Sequence, residues 1–130
     1  EEKIRYLAER SSDDPGAALR SYLEGYLTVE HVEDRSWGCP IAGSTSDALR
    51  ASPEAAVAMA KGAEETLDYF TTALGSDAAA IRTLAMAIGA VILARAVQND
   101  SVERILETAF KAVEIELNCA GRARFAARAE

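Results

Sequence analysis

Cys39 and His31 are the residues whose types most directly suggest catalysis, because a thiol beside an imidazole pairs a nucleophile with a general base. The two residues lie on either side of one predicted loop. A structural role is nevertheless favoured for both. Cys39 stands between Gly38 and Pro40 at a predicted helix start, where a small apolar side chain packs inward. His31 stands at a predicted helix end, where it complements the helix dipole. We therefore expect no enzymatic activity.

A metal site is the second chemistry that this region suggests, since Glu30, Glu33 and Asp34 surround the histidine. The chain has one histidine and two cysteines that lie far apart, which does not provide the ligand set of a zinc site. A solvated acidic turn is the favoured interpretation. Phosphate-binding glycine loops and zinc-protease motifs are absent from the sequence, so neither a metal nor a cofactor is expected.

The composition is that of one soluble globular domain. The chain has 130 residues, of which 49% are hydrophobic and 27% charged, with a formal net charge of −7. An acidic chain is poorly suited to neutralise phosphates, so direct nucleic-acid binding is not expected. The basic cluster of Arg122, Arg124 and Arg128 is interpreted as a solvated tail. Two widely spaced cysteines predict reduced thiols and a cytoplasmic location.

The periodicity of apolar residues predicts an all-α fold. Proline follows a capping side chain at Asp14-Pro15 and Ser52-Pro53, and Gly75 is placed to end a helix. Asp100, with Glu103 three residues later, predicts the cap of the last helix. After a helix that ends within 1–10, the predicted helices are 15–31, 41–51, 53–74, 78–97 and 101–117.

The segment 78–97 is apolar on nearly every face, unlike a surface helix, which carries one apolar stripe. Its uncharged run from Thr83 to Ala94 is 12 residues long, which is shorter than the ~20 residues needed to cross a bilayer. The segment is therefore expected to be buried in protein and not in a membrane. A small domain buries both sides of such a helix most easily by forming a homodimer.

Two tyrosines and a tryptophan leave two interpretations open. Tyr22 and Tyr26 are four residues apart and share one helix face. They either anchor a core with satisfied hydroxyls or line a cavity as polar groups. Trp37, in the following loop, either covers that cavity or closes the end of the domain. Met59 suits a core or an adaptable pocket, and a core is favoured.

Several blocks, taken in order, resemble the C-terminal domain of tetracycline-repressor-type (TetR) transcriptional regulators. They are Tyr26-Leu27-Thr28-Val29-Glu30-His31, then Gly38-Cys39-Pro40-Ile41-Ala42, Ser52-Pro53, the run MAIGAVILARAV over 86–97, and Ile105-Leu106. The resemblance covers roughly residues 1–117 as a ligand-binding and dimerisation domain, and it leaves 118–130 as a flexible or partly helical tail. Residues 1–10 would correspond to the end of the helix that joins this domain to an N-terminal helix-turn-helix domain.

The resemblance implies a pocket for a small apolar or aromatic effector and a four-helix bundle formed by the last two helices of each protomer. The expected pocket residues are Tyr22, Tyr26, Trp37, Met59, Ala63 and Leu84. The expected interface residues are Ile81, Ala85, Ile88, Gly89, Ile92, Ile105, Ala109, Phe110 and Val113.

The resemblance also implies a function for the parent protein, a bacterial repressor that ligand binding releases from operator DNA. The DNA-binding helices of family members have no counterpart in this sequence, so operator contact belongs to a parent protein. Two rival hypotheses are a ligand-free helical protein–protein interaction module and a small helical enzyme that uses Cys39.

Overall fold

The computed structural model describes residues 13–36, 38–97 and 99–129, and these form six α-helices and no strand. The all-α prediction is confirmed. The predicted end of a helix within 1–10 lies outside the described residues. In chain order the helices are α1 (Pro15–Tyr26), α2 (Val29–Glu33), α3 (Pro40–Ala51), α4 (Pro53–Leu74), α5 (Asp77–Val97) and α6 (Ser101–Arg128).

Three of the predicted helix boundaries are confirmed, because local chemistry fixes them. The Asp14 carboxylate accepts hydrogen bonds from the backbone N–H groups of Gly16 and Ala17, both at 3.1 Å, ahead of α1. The Ser52 hydroxyl accepts from the N–H of Ala55 at 3.1 Å and begins α4. Gly75 ends α4 with φ 71°, in the left-handed region that glycine adopts without strain.

The predicted helix 15–31 is wrong in its continuity, since the structure divides it into α1 and α2. Thr28 has an extended backbone, with φ −122° and ψ 154°. Its hydroxyl accepts a hydrogen bond from the N–H of His31 at 3.2 Å and so begins a new helix. A threonine side chain offers the backbone an alternative to the continuing helix, and here that alternative is adopted.

The predicted start of the last helix at residue 101 is confirmed, but its predicted side-chain cap and its predicted end at 117 are wrong. The Asp100 side chain makes no capping hydrogen bond. The neighbouring Asn99 side chain accepts from the N–H of Ser101 at 2.9 Å instead. The helix then continues past 117 to Arg128, with Ala120 buried against the rest of the domain. The tail therefore extends α6 as ordered helix.

The core is built around α5, which forms a helical hairpin with α6 and also contacts α2, α3 and α4. Small residues on its inner side let the neighbouring helices approach closely. Among the largest fully buried side chains are Leu19 and Leu23 of α1, Phe70 of α4 and Val113 of α6. The inner residues of α5 are Ala79, Ala80, Thr83, Ala87, Ala90, Val91 and Ala94.

By length and composition, α5 also meets the requirements of a membrane-spanning helix, with 21 residues and a mean hydropathy of 1.8. Its two arginines are both bonded within the chain. Arg82 pairs with Glu116 of α6 at 2.7 Å, and Arg95 donates to backbone carbonyls at the end of α2. The helix is thus attached to its neighbours through polar groups at both ends of its apolar run.

Candidate functional site

Tyr22 and Tyr69 lie beside the Phe70 ring, and Tyr26 lies beside Tyr22; we call Tyr22, Tyr26 and Tyr69 the tyrosine cluster. The ring centroids of Tyr22 and Tyr26 on α1 are 5.6 Å apart. Tyr22 meets the Phe70 ring edge-on at 6.2 Å, and Tyr69 lies 6.3 Å from the same ring. These are favourable aromatic separations. The cluster therefore connects α1 with α4 through Phe70.

Two hydroxyls of the tyrosine cluster are buried without a hydrogen-bond partner. They belong to Tyr26, which is 7% exposed, and to Tyr69, which is 9% exposed. Thr83 of α5 is 1% exposed, and its hydroxyl also has no hydrogen-bond partner. A buried polar group left unpaired costs about 1–3 kcal/mol. The inner side of the domain therefore holds donors that favour a polar partner.

The phenols of Tyr22 and Tyr26 are held in their neutral form. Burial raises the pKa of both above the ordinary value of 10.0, and the adjacent Cys39 raises both pKa values further. Tyr69 adds to the rise in the pKa of Tyr22, and the positive charge of Arg95 partly offsets the rise in the pKa of Tyr26. Both groups are therefore protonated hydrogen-bond donors at neutral pH.

His31 is fixed by two backbone hydrogen bonds, one to each ring nitrogen. Nδ1 lies 2.7 Å from the carbonyl oxygen of Tyr26, which can only accept, so Nδ1 carries the proton. Nε2 accepts from the backbone N–H of Cys39 at 3.2 Å. Because that lone pair is engaged with the backbone, His31 is not placed as a base for the Cys39 thiol. In the structure, His31 thus positions the loop between α2 and α3 by binding the backbone of Cys39.

Arg95 of α5 holds the end of α2. Its Nε donates to the carbonyl of Val32 at 3.2 Å, and its Nη2 donates to the carbonyls of His31 at 3.0 Å and Asp34 at 3.2 Å. These carbonyls end a helix and would otherwise lack partners. The Nε–Nη2 edge, with which arginine grips a carboxylate, is therefore occupied by backbone.

The described members of the predicted pocket lie on α1, α4 and α5. Tyr22 and Tyr26 are brought together, as described above. Met59 is half-buried, with its sulfur 3.8 Å from the Thr45 hydroxyl of α3, and Ala63 is half-buried on the same helix as Met59. Leu84 of α5 is half-buried and packs against the core. Trp37 lies outside the described residues.

Sequence reasoning missed Tyr69, Thr83 and Cys39 as members of this region. The signal was present for Thr83, since it is one of three polar residues in an otherwise apolar segment. Tyr69 follows helical spacing from Thr66, which is also buried, but a tyrosine on a buried stripe is usually a core residue. Cys39 is recognisable only once the fold brings the start of α3 close to Tyr22 and Tyr26.

The side of the domain formed by α3 and the first half of α4 is loosely packed. No residue of α3 is buried, and Thr66 is the first buried residue of α4. Among the half-buried residues there are Ile41, Ala42 and Gly62. This side of the domain therefore has few fully buried side chains.

The predicted interface residues differ in how exposed they are. Ile81, Ala85, Gly89 and Ile92 are exposed on the outer side of α5, together with Met86 and Leu93. Three further residues, Ile88, Ile105 and Phe110, are half-buried. Ala109 and Val113, by contrast, are 3% and 1% exposed and pack inside the protomer.

An open depression of about 590 Å³ lies between the start of α1 and the end of α6. Arg20 of α1 bonds Glu114 and Asn118 of α6, both at 2.8 Å. Arg124 donates to the backbone carbonyl of Ala73, so interpreting this arginine as part of a solvated tail was wrong. The polar groups of the depression are largely engaged in holding α6 in place.

Within the described residues, no group of three histidine, cysteine, aspartate or glutamate side chains is arranged to hold a metal ion. In comparisons with known proteins, no family model, curated protein or solved structure matches this chain. The chemistry of the site is therefore inferred from its own geometry.

Proposed function

We propose that this chain is the effector-binding and dimerisation domain of a TetR-type regulator of the bacterial cytoplasm. The observation that carries the proposal is the two-sided use of α5. The inner side of this helix closes the core behind the tyrosine cluster, and its outer side is apolar and exposed. Helix α5 thus contributes to the proposed ligand site with one side and to an exposed apolar surface with the other.

The inner side supports a ligand site and not a solid core. The buried hydroxyls of Tyr26, Tyr69 and Thr83 have no hydrogen-bond partner, and α3, which packs on α4 and α5, has no buried residue. A domain selected only for packing replaces such groups with apolar ones, because that removes the cost of the unpaired hydroxyls. A small molecule with apolar and polar parts, bound in a cleft that we place between α3 and α4, would supply both the apolar contacts that α3 lacks and a partner for the hydroxyls.

The outer side of α5 supports a second copy of this chain as its occupant. Ile81, Ile92 and Leu93 are 49%, 47% and 52% exposed, and Ala85 and Gly89 allow close approach of another helix. Specific dimers bury about 1,200–2,000 Å² in total. A helix of 21 residues, about 30 Å long and paired with α6, offers a face of suitable length. A two-fold axis would make this self-complementary face an isologous interface.

Arg95 supplies a physical route between the two sides. It attaches α5 to α2 through the His31 carbonyl, and the His31 ring attaches α2 to Tyr26 and to Cys39. A ligand that contacts the tyrosine cluster better in one arrangement of α5 shifts the population toward that arrangement, by no more than its difference in affinity. In the parent protein this shift would release operator DNA from the helix-turn-helix domains.

Dimerisation is tested with Ile92→Glu, which places a charge on the outer side of α5. We expect a dimer for the parent chain and a folded monomer for the variant by sedimentation velocity. Val57→Glu is the matched control, since Val57 is an apolar residue of α4 that is 69% exposed. The control should remain dimeric. A dimer that survives Ile92→Glu would refute this interface.

Ligand binding is tested with the neutral fluorescent probe N-phenyl-1-naphthylamine. We expect saturable binding at one probe per protomer, and Leu84→Trp should abolish it by filling the cleft. The rival protein–protein module predicts no saturable binding but an unchanged dimer. Dimer formation and probe binding together therefore separate the two functions.

A further inference from the structure

We infer that the depression between the start of α1 and the end of α6 binds a small organic anion in which a phosphate group is attached to an aromatic ring. None of the described residues that line this depression belongs to the tyrosine cluster. The inference therefore concerns a second site and does not depend on the proposed function. It is carried by two arginines without a carboxylate partner, an exposed aromatic ring and a glycine that leaves space.

The walls of the depression carry an excess of positive charge, although the chain as a whole has a formal net charge of −7. They include Arg20, Arg122 and Arg124, and the acidic residue among them is Asp14. The Asp14 carboxylate is bonded to backbone N–H groups at the start of α1, and Arg20 pairs with Glu114. Among the described residues, no carboxylate pairs with Arg122 or Arg124. Two unpaired guanidinium groups favour a ligand with the double negative charge of a phosphate monoester.

Both unpaired arginines keep N–H groups available. A guanidinium has five N–H donors in a planar arrangement. Arg122 donates to the Cys119 sulfur, a weak acceptor, at 3.3 Å. Arg124 donates to the Ala73 carbonyl. In the described part of the chain, each guanidinium thus retains donors for a ligand, and phosphate oxygens match a pair of such N–H groups.

An apolar surface lies beside these charges. Phe125 lines the depression and is 79% exposed, and Leu117, which also lines it, is 6% exposed. An aromatic ring that packs against Phe125 removes apolar surface from water and gains an offset or edge-on contact. The volume of about 590 Å³ lies within the ~300–1,000 Å³ of typical small-molecule sites. The ligand is therefore expected to carry an aromatic ring beside its phosphate.

Gly121 leaves the depression open at its α6 wall. It lies one turn after Leu117 and one turn before Phe125, so the three residues lie along one side of α6. A Cβ added at Gly121 would meet no neighbouring atom within 4 Å. Because glycine is a poor helix former, helix stability alone favours a side chain at this position. The space that Gly121 leaves is therefore open to a ligand.

Three compounds separate the two parts of the ligand, and isothermal titration calorimetry against the full chain gives their Kd values. 1-Naphthyl phosphate has both parts, 1-naphthol has the ring alone, and inorganic phosphate has the anion alone. We expect one 1-naphthyl phosphate per protomer, bound at least about tenfold more tightly than either part, because one hydrogen bond between charged groups contributes that factor.

Gly121→Leu tests the location, because its side chain would occupy the depression while the substitution favours the helix. We expect no detectable binding of 1-naphthyl phosphate and an equal or higher Tm. Gly25→Leu is the matched control. Gly25 is a glycine of α1 outside the depression, and a Cβ there also meets no atom within 4 Å. The control should bind like the parent chain.

Arg122→Gln tests the charge. We expect it to weaken the binding of 1-naphthyl phosphate about fivefold or more and to leave 1-naphthol unchanged. Arg104→Gln is the matched control, since Arg104 is an exposed arginine of α6 that lies outside the depression. Solvent and salt screen such a distant charge, so the control should change the Kd less than about twofold.

Four results would overturn the inference. Binding that persists in Gly121→Leu would place the ligand elsewhere, and equal weakening by Arg122→Gln and Arg104→Gln would reduce the effect to general charge attraction. If 1-naphthol binds as tightly as 1-naphthyl phosphate, the anionic group is refuted. Equally tight binding of inorganic phosphate refutes the aromatic group. None of these results bears on the proposed function, whose tests use Ile92→Glu and N-phenyl-1-naphthylamine.

Discussion

The Nη2 atom of Arg95 and the backbone carbonyl oxygen of His31 are 3.0 Å apart, although 64 residues separate them along the chain. Arg95 lies near the end of α5, and His31 lies in the middle of α2. A contact of this span fixes a five-residue helix that has little stability of its own. The position of α2 is therefore set by a side chain of another helix.

Arg95→Met is expected to lower the free energy of unfolding by about 2–3 kcal/mol, because three carbonyls lose a charged donor and hydrogen bonds to charged groups are worth about 1.5–3 kcal/mol. Chemical denaturation measures the change. Arg82→Met is the control on the same helix. Arg82 is exposed and pairs with Glu116 across the surface, where solvent screens the pair, so its loss should cost much less than the loss of Arg95. Equal losses for both variants would contradict the role assigned to Arg95.

Gly38→Ala is expected to destabilise the chain, because a Cβ there would lie 2.5 Å from Nη2 of Arg95 and 3.0 Å from the carbonyl oxygen of Asp34. The expected loss is about 1–3 kcal/mol, typical of overpacking, and is read from the shift in Tm. Gly43→Ala is the matched control. Its Cβ meets only Arg95 Nη1, at 3.6 Å, which is an ordinary contact. The control should be neutral or stabilising by up to about 1 kcal/mol, since Gly43 lies within α3.

Arg124→Ala is expected to loosen the last two turns of α6, because the guanidinium that reaches Ala73 and lies against Gly16 is removed. Hydrogen exchange at residues 120–128 should accelerate, with a loss of about 1–2 kcal/mol in global stability. Arg128→Ala, at an exposed position, is the control and should leave both quantities unchanged. Slow exchange that persists in Arg124→Ala would show that the helix needs no such anchor.

Tyr22 and Tyr26 are expected to make the chain sensitive to alkali. Their pKa values are raised from the ordinary 10.0 by burial, so the folded state keeps protons that the unfolded state releases. Stability is therefore unaffected below pH 10 and falls above it, by about 1.4 kcal/mol per pH unit for each tyrosine. Tyrosinate absorbance at 295 nm should show both residues ionising only as the helical signal is lost. Tyr22→Phe with Tyr26→Phe should weaken this alkaline fall.

Short-range signals account for the parts of the fold that the sequence predicted well. Asp14 with Pro15, Ser52 with Pro53 and the left-handed Gly75 act within a few residues, and all three boundaries hold. The break at Thr28 was missed, because the stripe of Leu19, Leu23 and Tyr26 continues smoothly toward it. A threonine within a continuous apolar stripe does not by itself predict a helix break, because its hydroxyl caps a new helix only in the folded chain.

Long-range contacts account for what the sequence could not predict. The continuation of α6 beyond 117 depends on Arg124, whose partners lie at the end of α4 and the start of α1. The missing partners of the Tyr26 and Tyr69 hydroxyls are a property of three-dimensional surroundings, and no spacing in the chain encodes them. Tyr22 and Tyr26 were predicted as a pair because helical periodicity alone places them together.

The hydrogen bond from Arg20 to Glu114 has a consequence for the synthesis of the chain on the ribosome. The two residues are 94 positions apart. At about 5–20 residues per second, α1 emerges roughly 5–20 s before the helix that holds it. During that interval Leu19 and Leu23, which are fully buried in the finished fold, have no complete surface to cover them. The nascent α1 therefore exposes these apolar side chains until α6 has been synthesised.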